Sequence, residues 1–327
     1  MKIVGIGDLL IPAEYIREGF QPFVDAGHQL ELIEWKRKDI EELQNINLQI
    51  EKEGCESFET EDEIVAALRD ADIIITQFCP INRKVLDLKA IGVLRGGMEN
   101  VNLQLCRERG IEVFNTPGRN ANAVADYAVG MLLCEARNIA RSHSLLKEGK
   151  WVKDYSNRDC VPDLCGKIAG IIGYGAIGRK VVQRLKAFDM KIIVYDPYLQ
   201  DEDVTSVSLE ELFQTADFVS VHSRLSEENR KMITYELLSS MKPTAYFINT
   251  ARSGLVDEDA LEAVLKEGKI AGAAIDVFET EPPGKNYKFL KYDNVTVTPH
   301  MAGSTRDAFT HSPILLCERM SEKYLKG

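Results

Sequence analysis

The chain has 327 residues, of which 45% are hydrophobic and 28% charged, and its formal net charge is −11. At roughly 100–200 residues per domain, this length predicts two domains, each large enough to bury its own core. An acidic protein with scattered lysines and arginines does not attract phosphate backbones or anionic membranes, so we expect neither nucleic acid nor a membrane as a partner.

The lack of targeting patterns and the spacing of the cysteines further restrict the class of protein. The first residues lead directly into an apolar, strand-like run without the long apolar core of a signal peptide. No segment reaches the ~18 uninterrupted apolar residues of a membrane helix. The seven cysteines contain no C-x-x-C pair and no Cys/His cluster. This pattern predicts free thiols, no metal site and a cytoplasmic location.

Short apolar runs alternate with helical patterns along the first third of the chain, which predicts a small doubly wound domain. The predicted strands are residues 2–6, 29–33, 72–76, 88–94 and 111–115. The predicted helices are residues 13–25 and 61–69, and the polar segment 36–60 also favours a helix. The turn Thr116-Pro117-Gly118 then predicts a crossing between domains.

A long apolar helix is predicted at residues 123–141, and a second series of strands and helices follows it. The predicted strands are residues 168–173, 191–195, 218–222, 245–249, 270–277 and 295–298. The predicted helices are residues 176–188, 209–215 and 258–267, the last with Asp257 as N-cap and Gly268 as terminator. Residues 305–325 favour a helix that Pro313 should kink or break.

A glycine-rich turn in this second series is the clearest single motif. Gly173, Gly175 and Gly178 form a G-x-G-x-x-G pattern between a strand and a helix, which is the context that a dinucleotide site requires. Gly173 permits the tight turn, Gly175 lets a pyrophosphate approach the backbone, and Gly178 lets the helix pack closely on the strand. The start of the helix offers N–H groups and a partial positive charge to the phosphates.

Asp196 ends the strand that follows this motif. A carboxylate there accepts hydrogen bonds from ribose hydroxyls and repels a 2′-phosphate, which predicts NAD rather than NADP. Arg179 has two alternatives, a pyrophosphate contact or a solvated helix position. His222, at the end of another predicted strand, is either a cofactor contact or a plain loop residue.

Three polar side chains, Arg252, Glu281 and His300, follow predicted strands in the second half. Hydride transfer to a keto acid needs a cation for the carboxylate and carbonyl, an acid for the new alkoxide, and a partner that keeps this acid charged. The planar fork of Arg252 suits the first task. A histidine beside a carboxylate has a raised pKa, so His300 with Glu281 suits the other two.

Together these stretches resemble the D-isomer-specific 2-hydroxyacid dehydrogenase family. Besides the glycine motif with Asp196, the matching segments are residues 120–126, 249–257, 274–282 and 298–305. The resemblance implies NAD-dependent interconversion of a D-2-hydroxy acid and its 2-keto acid. It implies that Arg252 binds and polarises the substrate and that His300 is the acid/base, paired with Glu281. The tripeptide Asp196-Pro197-Tyr198 is similar to the phosphoglycerate dehydrogenase branch without fixing a substrate.

The fold, the cofactor contacts and the assembly also follow from this resemblance. It implies two doubly wound α/β domains: a flavodoxin-like substrate domain from residues 1–115 and 301–327, and a Rossmann NAD-binding domain, residues 116–300, inserted between them. It implies a homodimer formed through the NAD-binding domain. The cofactor contacts that we predict are Gly173, Gly175, Ala176, Ile177, Gly178, Asp196, His222, Thr250, Ala251, Asp276 and His300.

One turn departs from the family pattern. Where the family reads G-x-G-x-D-N and holds the substrate carboxylate with backbone N–H groups, this chain reads Arg95-Gly96-Gly97-Met98-Glu99-Asn100. The predicted substrate-binding residues are therefore Arg95, Gly96, Gly97, Arg252 and His300. Arg95 either adds a cation that favours a phosphorylated, dicarboxylic or polyhydroxy acid, or points away and braces the loop.

Two other functions stay open at this point. In the first, the chain is non-catalytic and resembles the C-terminal binding protein corepressors, in which NAD controls assembly rather than metabolism. The three catalytic residues do not decide against this function, because such proteins can keep them. It could also oxidise formate or phosphite on the same scaffold, since those reactions too need a cation and a histidine.

Overall fold

The computed structural model describes residues 1–85, 88–199 and 203–325. Its residues cluster into two compact units, Met1–Asn120 with the described part of Ser304–Gly327, and Ala121–Gly303. We refer to them as unit 1 and unit 2. Unit 1 is formed by the two segments that precede and follow unit 2 in the sequence. Unit 2 is one continuous segment.

Unit 1 contains a sheet whose five strands in the described residues all run parallel. The strands are β1 (Lys2–Gly7), β2 (Gln29–Glu34), β3 (Ile73–Thr76), β4 (Ala90–Val93) and β5 (Glu112–Asn115). Their order in the sheet is β2-β1-β3-β4-β5, the flavodoxin-like order. The helices are α1 (Ala13–Gly19), α2 (Gln21–Asp25), α3 (Ile40–Glu53), α4 (Asp62–Leu68), α5 (Leu103–Arg109) and the C-terminal helix Arg306–Tyr324.

Unit 2 contains a seven-stranded parallel sheet within the described residues. The strands are β6 (Ile168–Ile172), β7 (Lys191–Tyr195), β8 (Thr205–Ser206), β9 (Phe218–Val221), β10 (Tyr246–Asn249), β11 (Gly272–Ile275) and β12 (Val295–Val297). The helices are α6 (Ala121–Ala136), α7 (Ile139–Lys147), α8 (Ala176–Lys186), α9 (Leu209–Thr215), α10 (Tyr235–Ser239) and α11 (Glu258–Lys266). These two sheets confirm the predicted fold class.

The strand order of unit 2 is β12-β11-β10-β9-β6-β7-β8. In the sheet, β7 lies on one side of β6 and β9 lies on the other. The direction in which successive strands are added therefore reverses at β6. In open α/β sheets ligands bind at such a reversal, beyond the carboxyl ends of the strands. This topology brings the turns that follow β6, β9, β10, β11 and β12 to one edge of the sheet.

Three helical predictions were wrong in detail. The helix predicted at residues 13–25 is two helices, α1 and α2, because the chain turns at Phe20 and a new helix begins at Gln21 with Pro22 in its first turn. The helix predicted at residues 123–141 is also two helices, α6 and α7, separated where Asn138 has a left-handed φ of 57°. The C-terminal helix runs unbroken through Pro313.

The continuity at Pro313 has a packing reason. Gly19 lies so close to it that a Cβ at Gly19 would fall 2.5 Å from the Cβ of Pro313. The proline ring therefore packs against backbone, and this buried contact offsets the missing hydrogen bond. None of the helices in the described residues is long and apolar enough to cross a membrane.

Candidate active site

The glycine-rich turn after β6 has a backbone that requires glycine at two of its three motif positions. Gly173 has φ of 91°, and a Cβ there would lie 2.6 Å from the Oγ of Ser223. A Cβ at Gly178 would lie 2.1 Å from the carbonyl oxygen of Gly173, so α8 can approach the strand only at a glycine. Gly175 differs, because a Cβ there would meet nothing within 4 Å. Its lack of a side chain leaves space beside the N-terminus of α8, which suits a pyrophosphate.

Replacing Gly175 with alanine is expected to weaken NAD binding by at least about tenfold while leaving the fold intact. The new methyl group meets no protein atom within 4 Å, and the φ of −78° suits alanine, so only a bound pyrophosphate would collide with it. Calorimetric titration with NAD and thermal unfolding would measure the two effects.

The matched control is Gly178→Ala, in which the clash is with the protein itself. This variant should unfold at a lower temperature even without NAD. A Gly175→Ala protein that binds NAD as tightly as the wild type would contradict the assignment of this turn to the pyrophosphate.

Asp196 lies directly after β7, and its carboxylate organises the turn. One oxygen accepts a hydrogen bond from the N–H of Tyr174 at 2.7 Å, and the other accepts from the N–H of Tyr198 at 2.8 Å. Each oxygen keeps a further lone pair for a ribose hydroxyl. The guanidinium of Arg179 lies 4.4 Å from the centroid of the Tyr174 ring, so this side chain stacks on the turn.

His222 and Thr250 each come directly after the last residue of a strand. The preceding residues, Val221 and Asn249, are paired with each other in the β9–β10 ladder. The Nε2 of His222 bonds to the hydroxyl of Ser220 at 2.9 Å. Burial lowers the pKa of His222 to about 3, so the ring is neutral. The Nδ1 of His222 and the Oγ1 of Thr250 are buried without a partner in the described part of the chain. Orphaned polar atoms at this edge fit a bound dinucleotide.

His300 and Glu281 form a hydrogen-bonded pair after β12 and β11. The Nδ1 of His300 lies 2.7 Å from Oε2 of Glu281, and Oε1 of Glu281 accepts from the N–H of Phe278 at 3.0 Å. The hydrogen bond to Glu281 raises the pKa of His300 above its usual range. Burial raises the pKa of Glu281, but the hydrogen bond and charge of His300 outweigh it, so the net pKa is lowered. The pair therefore favours a protonated imidazole whose Nε2 is not engaged by Glu281.

The turn that carries His300 has a strained backbone that Asp276 holds in place. His300 has φ of 53°, a left-handed conformation that is unusual for a non-glycine residue. The fully buried carboxylate of Asp276 accepts from the Thr298 hydroxyl at 2.6 Å and from the N–H groups of Met301 and Ala302, both at 2.9 Å. These bonds fix the direction of the imidazole. Cofactor contact by Asp276 stays a prediction.

Arg252 follows β10 in a turn that Asn249 shapes. The amide of Asn249 donates to the Arg252 carbonyl at 3.1 Å and accepts from the Ala251 N–H at 3.0 Å. The exposed guanidinium of Arg252 donates to the carbonyl of Ala251 at 2.8 Å. It forms no ion pair with any residue that the structure describes, although its charge is close enough to lower the pKa of both Glu281 and His300. An unpaired cation at this position is available to an anionic ligand.

Arg95, Gly96 and Gly97 lie in unit 1, after β4. The guanidinium of Arg95 bonds to Asn47 and forms ion pairs with Glu51 and Glu99. It also lies 5.2 Å from the centroid of the Phe78 ring. This pairing favours the alternative in which Arg95 braces the loop. Within the described residues, the N–H groups of Gly96 and Gly97 donate no hydrogen bond.

Sequence reasoning did not find the supports of these turns. Asn249 and Thr298 each stand at the end of a predicted strand, and that position was the available signal. The clamp formed by Asp276 depends on backbone N–H groups about 25 residues further along the chain. Such a contact becomes visible only once β11 and β12 are adjacent.

Comparison with known proteins identifies the family of this chain. The family described as D-isomer specific 2-hydroxyacid dehydrogenase, NAD binding domain, matches residues 129–302. D-3-phosphoglycerate dehydrogenase of Methanocaldococcus jannaschii is 39% identical over 279 residues, which are 82% of this chain but only 52% of that protein. Hydroxypyruvate reductase of Thermotoga maritima is 39% identical over 268 residues, which are 79% of this chain and 87% of that protein.

Solved structures extend the likeness to the whole fold. A D-2-hydroxyisocaproate dehydrogenase superposes with a TM-score of 0.76 at 25% identity, covering 99% of this chain and 97% of that one. The predicted family, fold and cofactor are thereby confirmed. The chain belongs to the D-isomer specific 2-hydroxyacid dehydrogenases, NAD-dependent oxidoreductases that act on the CH–OH group of 2-hydroxy acids.

Proposed function

We propose that this chain interconverts a D-2-hydroxy acid and its 2-keto acid, with His300 as the acid/base, Glu281 as its partner and Arg252 as the substrate-binding and polarising residue. The hydrogen-bonded His300–Glu281 pair carries this proposal. It leaves Nε2 of a protonated imidazole unengaged by Glu281, on a domain whose family binds NAD. Arg252, without an ion pair among the described residues, supplies the cation.

The chemistry of the residues follows from these roles. When bound, NAD accepts or supplies the hydride. In reduction, Arg252 holds the substrate carboxylate and draws charge towards the carbonyl oxygen. His300 gives the proton on Nε2 to that oxygen, and Glu281 keeps the Nδ1–H in place and stabilises the charged ring. In oxidation, the neutral imidazole takes the hydroxyl proton back.

The pH dependence follows from the direction of the His300 shift. Because the hydrogen bond to Glu281 raises the pKa of His300, the protonated form persists to higher pH than in a free imidazole. Reduction should be retained below that raised pKa and lost as the pH rises through it. Oxidation, which needs the neutral ring, should gain over the same range.

The cofactor contacts that we propose are those of the glycine turn and the adjacent strand ends. Gly175 leaves the space for the pyrophosphate, and Asp196 receives the ribose hydroxyls. The neutral His222 and the Thr250 hydroxyl supply polar atoms that are otherwise without partners. The remaining members of the proposed set are Gly173, Ala176, Ile177, Gly178, Ala251, Asp276 and His300.

For the substrate, we propose an acid with a second polar or anionic group, held in unit 1 by the N–H groups of Gly96 and Gly97. The names of two relatives, a phosphoglycerate dehydrogenase and a hydroxypyruvate reductase, support this class. The charge of Arg95 is already paired. We therefore assign the binding of the second group to the N–H groups of Gly96 and Gly97 rather than to the Arg95 guanidinium.

Oxidation of NADH with a panel of keto acids tests the function and the substrate class together. We expect turnover with at least one of glyoxylate, hydroxypyruvate, a phosphorylated keto acid and a dicarboxylic keto acid, with a preference for the last three. Arg95→Ala should affect short monoacids and doubly charged acids alike. If no keto acid is turned over while NAD binding is intact, a non-catalytic role is favoured. Oxidation of formate or phosphite would instead show that the scaffold carries out that alternative reaction.

We further propose a homodimer formed through unit 2 and a cytoplasmic location. Three large apolar side chains on α7 and in the segment after it are exposed: Ile139 (51%), Leu146 (57%) and Trp151 (77%). We propose that the partner subunit covers them, because exposed apolar patches mark interaction sites. The cytoplasmic location is supported by seven cysteines that are all free thiols.

Replacing Trp151 with aspartate is expected to convert the dimer to a monomer, because a charge would be buried at the centre of the proposed interface. Light scattering after gel filtration would give the mass, against 36.7 kDa for one chain. Phe188→Asp, at a residue of unit 2 that is 40% exposed after α8, serves as the control. A wild-type protein that is monomeric at micromolar concentration would end the proposal.

A further inference from the structure

A buried pair, Glu258 and Tyr287, supports the turn that carries Glu281. Glu258 is the first residue of α11 and is only 2% exposed. Its Oε2 accepts from the Tyr287 hydroxyl, and its Oε1 accepts from the N–H of Glu279 at 3.1 Å. The nitrogen of the same N–H lies 3.2 Å from the Tyr287 oxygen. Glu258 and Tyr287 therefore both accept from the backbone N–H of Glu279.

That backbone group lies inside the turn that orients Glu281. Glu279 follows Phe278, whose N–H donates to Oε1 of Glu281. The ring of Phe278 meets the ring of Tyr287 edge-on, with centroids 5.3 Å apart. A continuous set of contacts therefore runs from Glu258 through the turn to Glu281 and then to Nδ1 of His300.

We propose that Glu258 and Tyr287 are positioning residues, which hold the Phe278–Glu281 turn so that the Glu281 carboxylate stays on Nδ1 of His300. This inference rests on the proposed roles of Glu281 and His300. Neither Glu258 nor Tyr287 touches the reacting atoms; each acts through the turn. A displacement of about 1 Å in such a turn can lower the rate by up to about 100-fold.

The placement of Glu258 is difficult to explain as packing alone. A buried carboxylate is costly unless its oxygens are hydrogen-bonded, and burial raises the pKa of Glu258. The groups that face it are Tyr287, Glu279 and Lys288, and those that face His300 are Glu281, Arg252 and Asp276. Because Glu258 is not among the groups that face His300, we expect a change at Glu258 to alter the titration of His300 by moving Glu281.

The test compares Tyr287→Phe and Glu258→Asp with a matched control on the same helix. Tyr292 donates to Glu262 at 3.0 Å, the same kind of bond one turn further along α11 and away from the turn at Glu281. Tyr292→Phe is therefore the control. The readouts are kcat and KM for a keto acid, the pH profile of reduction, and the Kd of NAD.

We expect Tyr287→Phe and Glu258→Asp to lower kcat by roughly tenfold and to shift the loss of reduction to lower pH by about 1, with the Kd of NAD unchanged. Glu258→Gln, which keeps the shape and an acceptor for the Glu279 N–H, should recover most of the activity. Tyr292→Phe should keep the wild-type pH profile.

A wild-type pH profile in Tyr287→Phe or Glu258→Asp, even with a lower melting temperature, would overturn the inference and leave a structural role only. The two variants change different residues of the pair, so the pH profile of either variant that folds is enough to decide the inference. His300→Ala, assayed in parallel, separates this failure from a failure of the proposed function. If His300→Ala keeps full activity, then the roles of His300 and Glu281 are themselves wrong.

Discussion

Replacing His300 with alanine is expected to lower kcat by about 10²–10⁴-fold while the Kd of NAD changes little. The imidazole is the group that we assign to proton transfer, and its Nδ1 is held by Glu281 at 2.7 Å. Without it, the alkoxide formed in reduction has no positioned acid. Steady-state kinetics in both directions and a calorimetric titration with NAD would measure the two quantities.

His311→Ala is the control for this experiment, because His311 is an exposed histidine of the C-terminal helix. It should retain wild-type turnover. A His300→Ala protein with an unchanged rate would remove His300 from the mechanism. The pH profile gives a second check, since Glu281→Gln should move the loss of reduction to lower pH by removing the charge that raises the pKa of His300.

Arg252→Ala is expected to lower kcat/KM by about 10²–10³-fold, with both a higher KM and a lower kcat. The guanidinium is proposed to bind the carboxylate and to polarise the carbonyl, so its loss affects the ground state and the transition state. Arg252→Lys should rescue little of this, because an ammonium cannot bridge two oxygens in one plane. The kinetic constants of the two variants with one keto acid would measure both effects.

Arg230→Ala provides the comparison for Arg252. Arg230 is an exposed arginine of unit 2 that pairs with Glu227, and its loss should leave the kinetic constants unchanged, since surface ion pairs contribute little. If Arg252→Ala kept the wild-type KM and kcat, the unpaired cation at the end of β10 would have no role in substrate binding.

Local patterns in the sequence were sufficient to predict the fold, and they also located the residues that we propose as functional. The glycines at 173, 175 and 178 could be interpreted because each meets a constraint within a short stretch of chain. Arg252, Glu281 and His300 could be found because each follows an apolar run that becomes a buried strand. In parallel sheets the ends of such runs converge, so sequence position alone predicts proximity.

The supports of the site could not be predicted in this way, because they depend on distant partners. Arg95 donates a hydrogen bond to Asn47 and forms an ion pair with Glu51, and these residues lie 48 and 44 positions away in sequence. Glu258 holds the N–H of Glu279 only because α11 lies beside the turn after β11. No local pattern distinguishes such a glutamate from the solvated glutamates common in the first turn of a helix.

The insertion of unit 2 into unit 1 has a consequence for the order in which the chain is completed during synthesis. One face of the unit 1 sheet, which includes Ile3, Ile73 and Ile75, is covered by Leu316 and Met320 of the C-terminal helix. A ribosome makes that helix only after all of Ala121–Gly303, at ~5–20 residues per second. Unit 2 can fold as it emerges, but the part of this face that the C-terminal helix covers stays uncovered for roughly ten to forty seconds. This interval is the period in which a chaperone would bind the nascent chain.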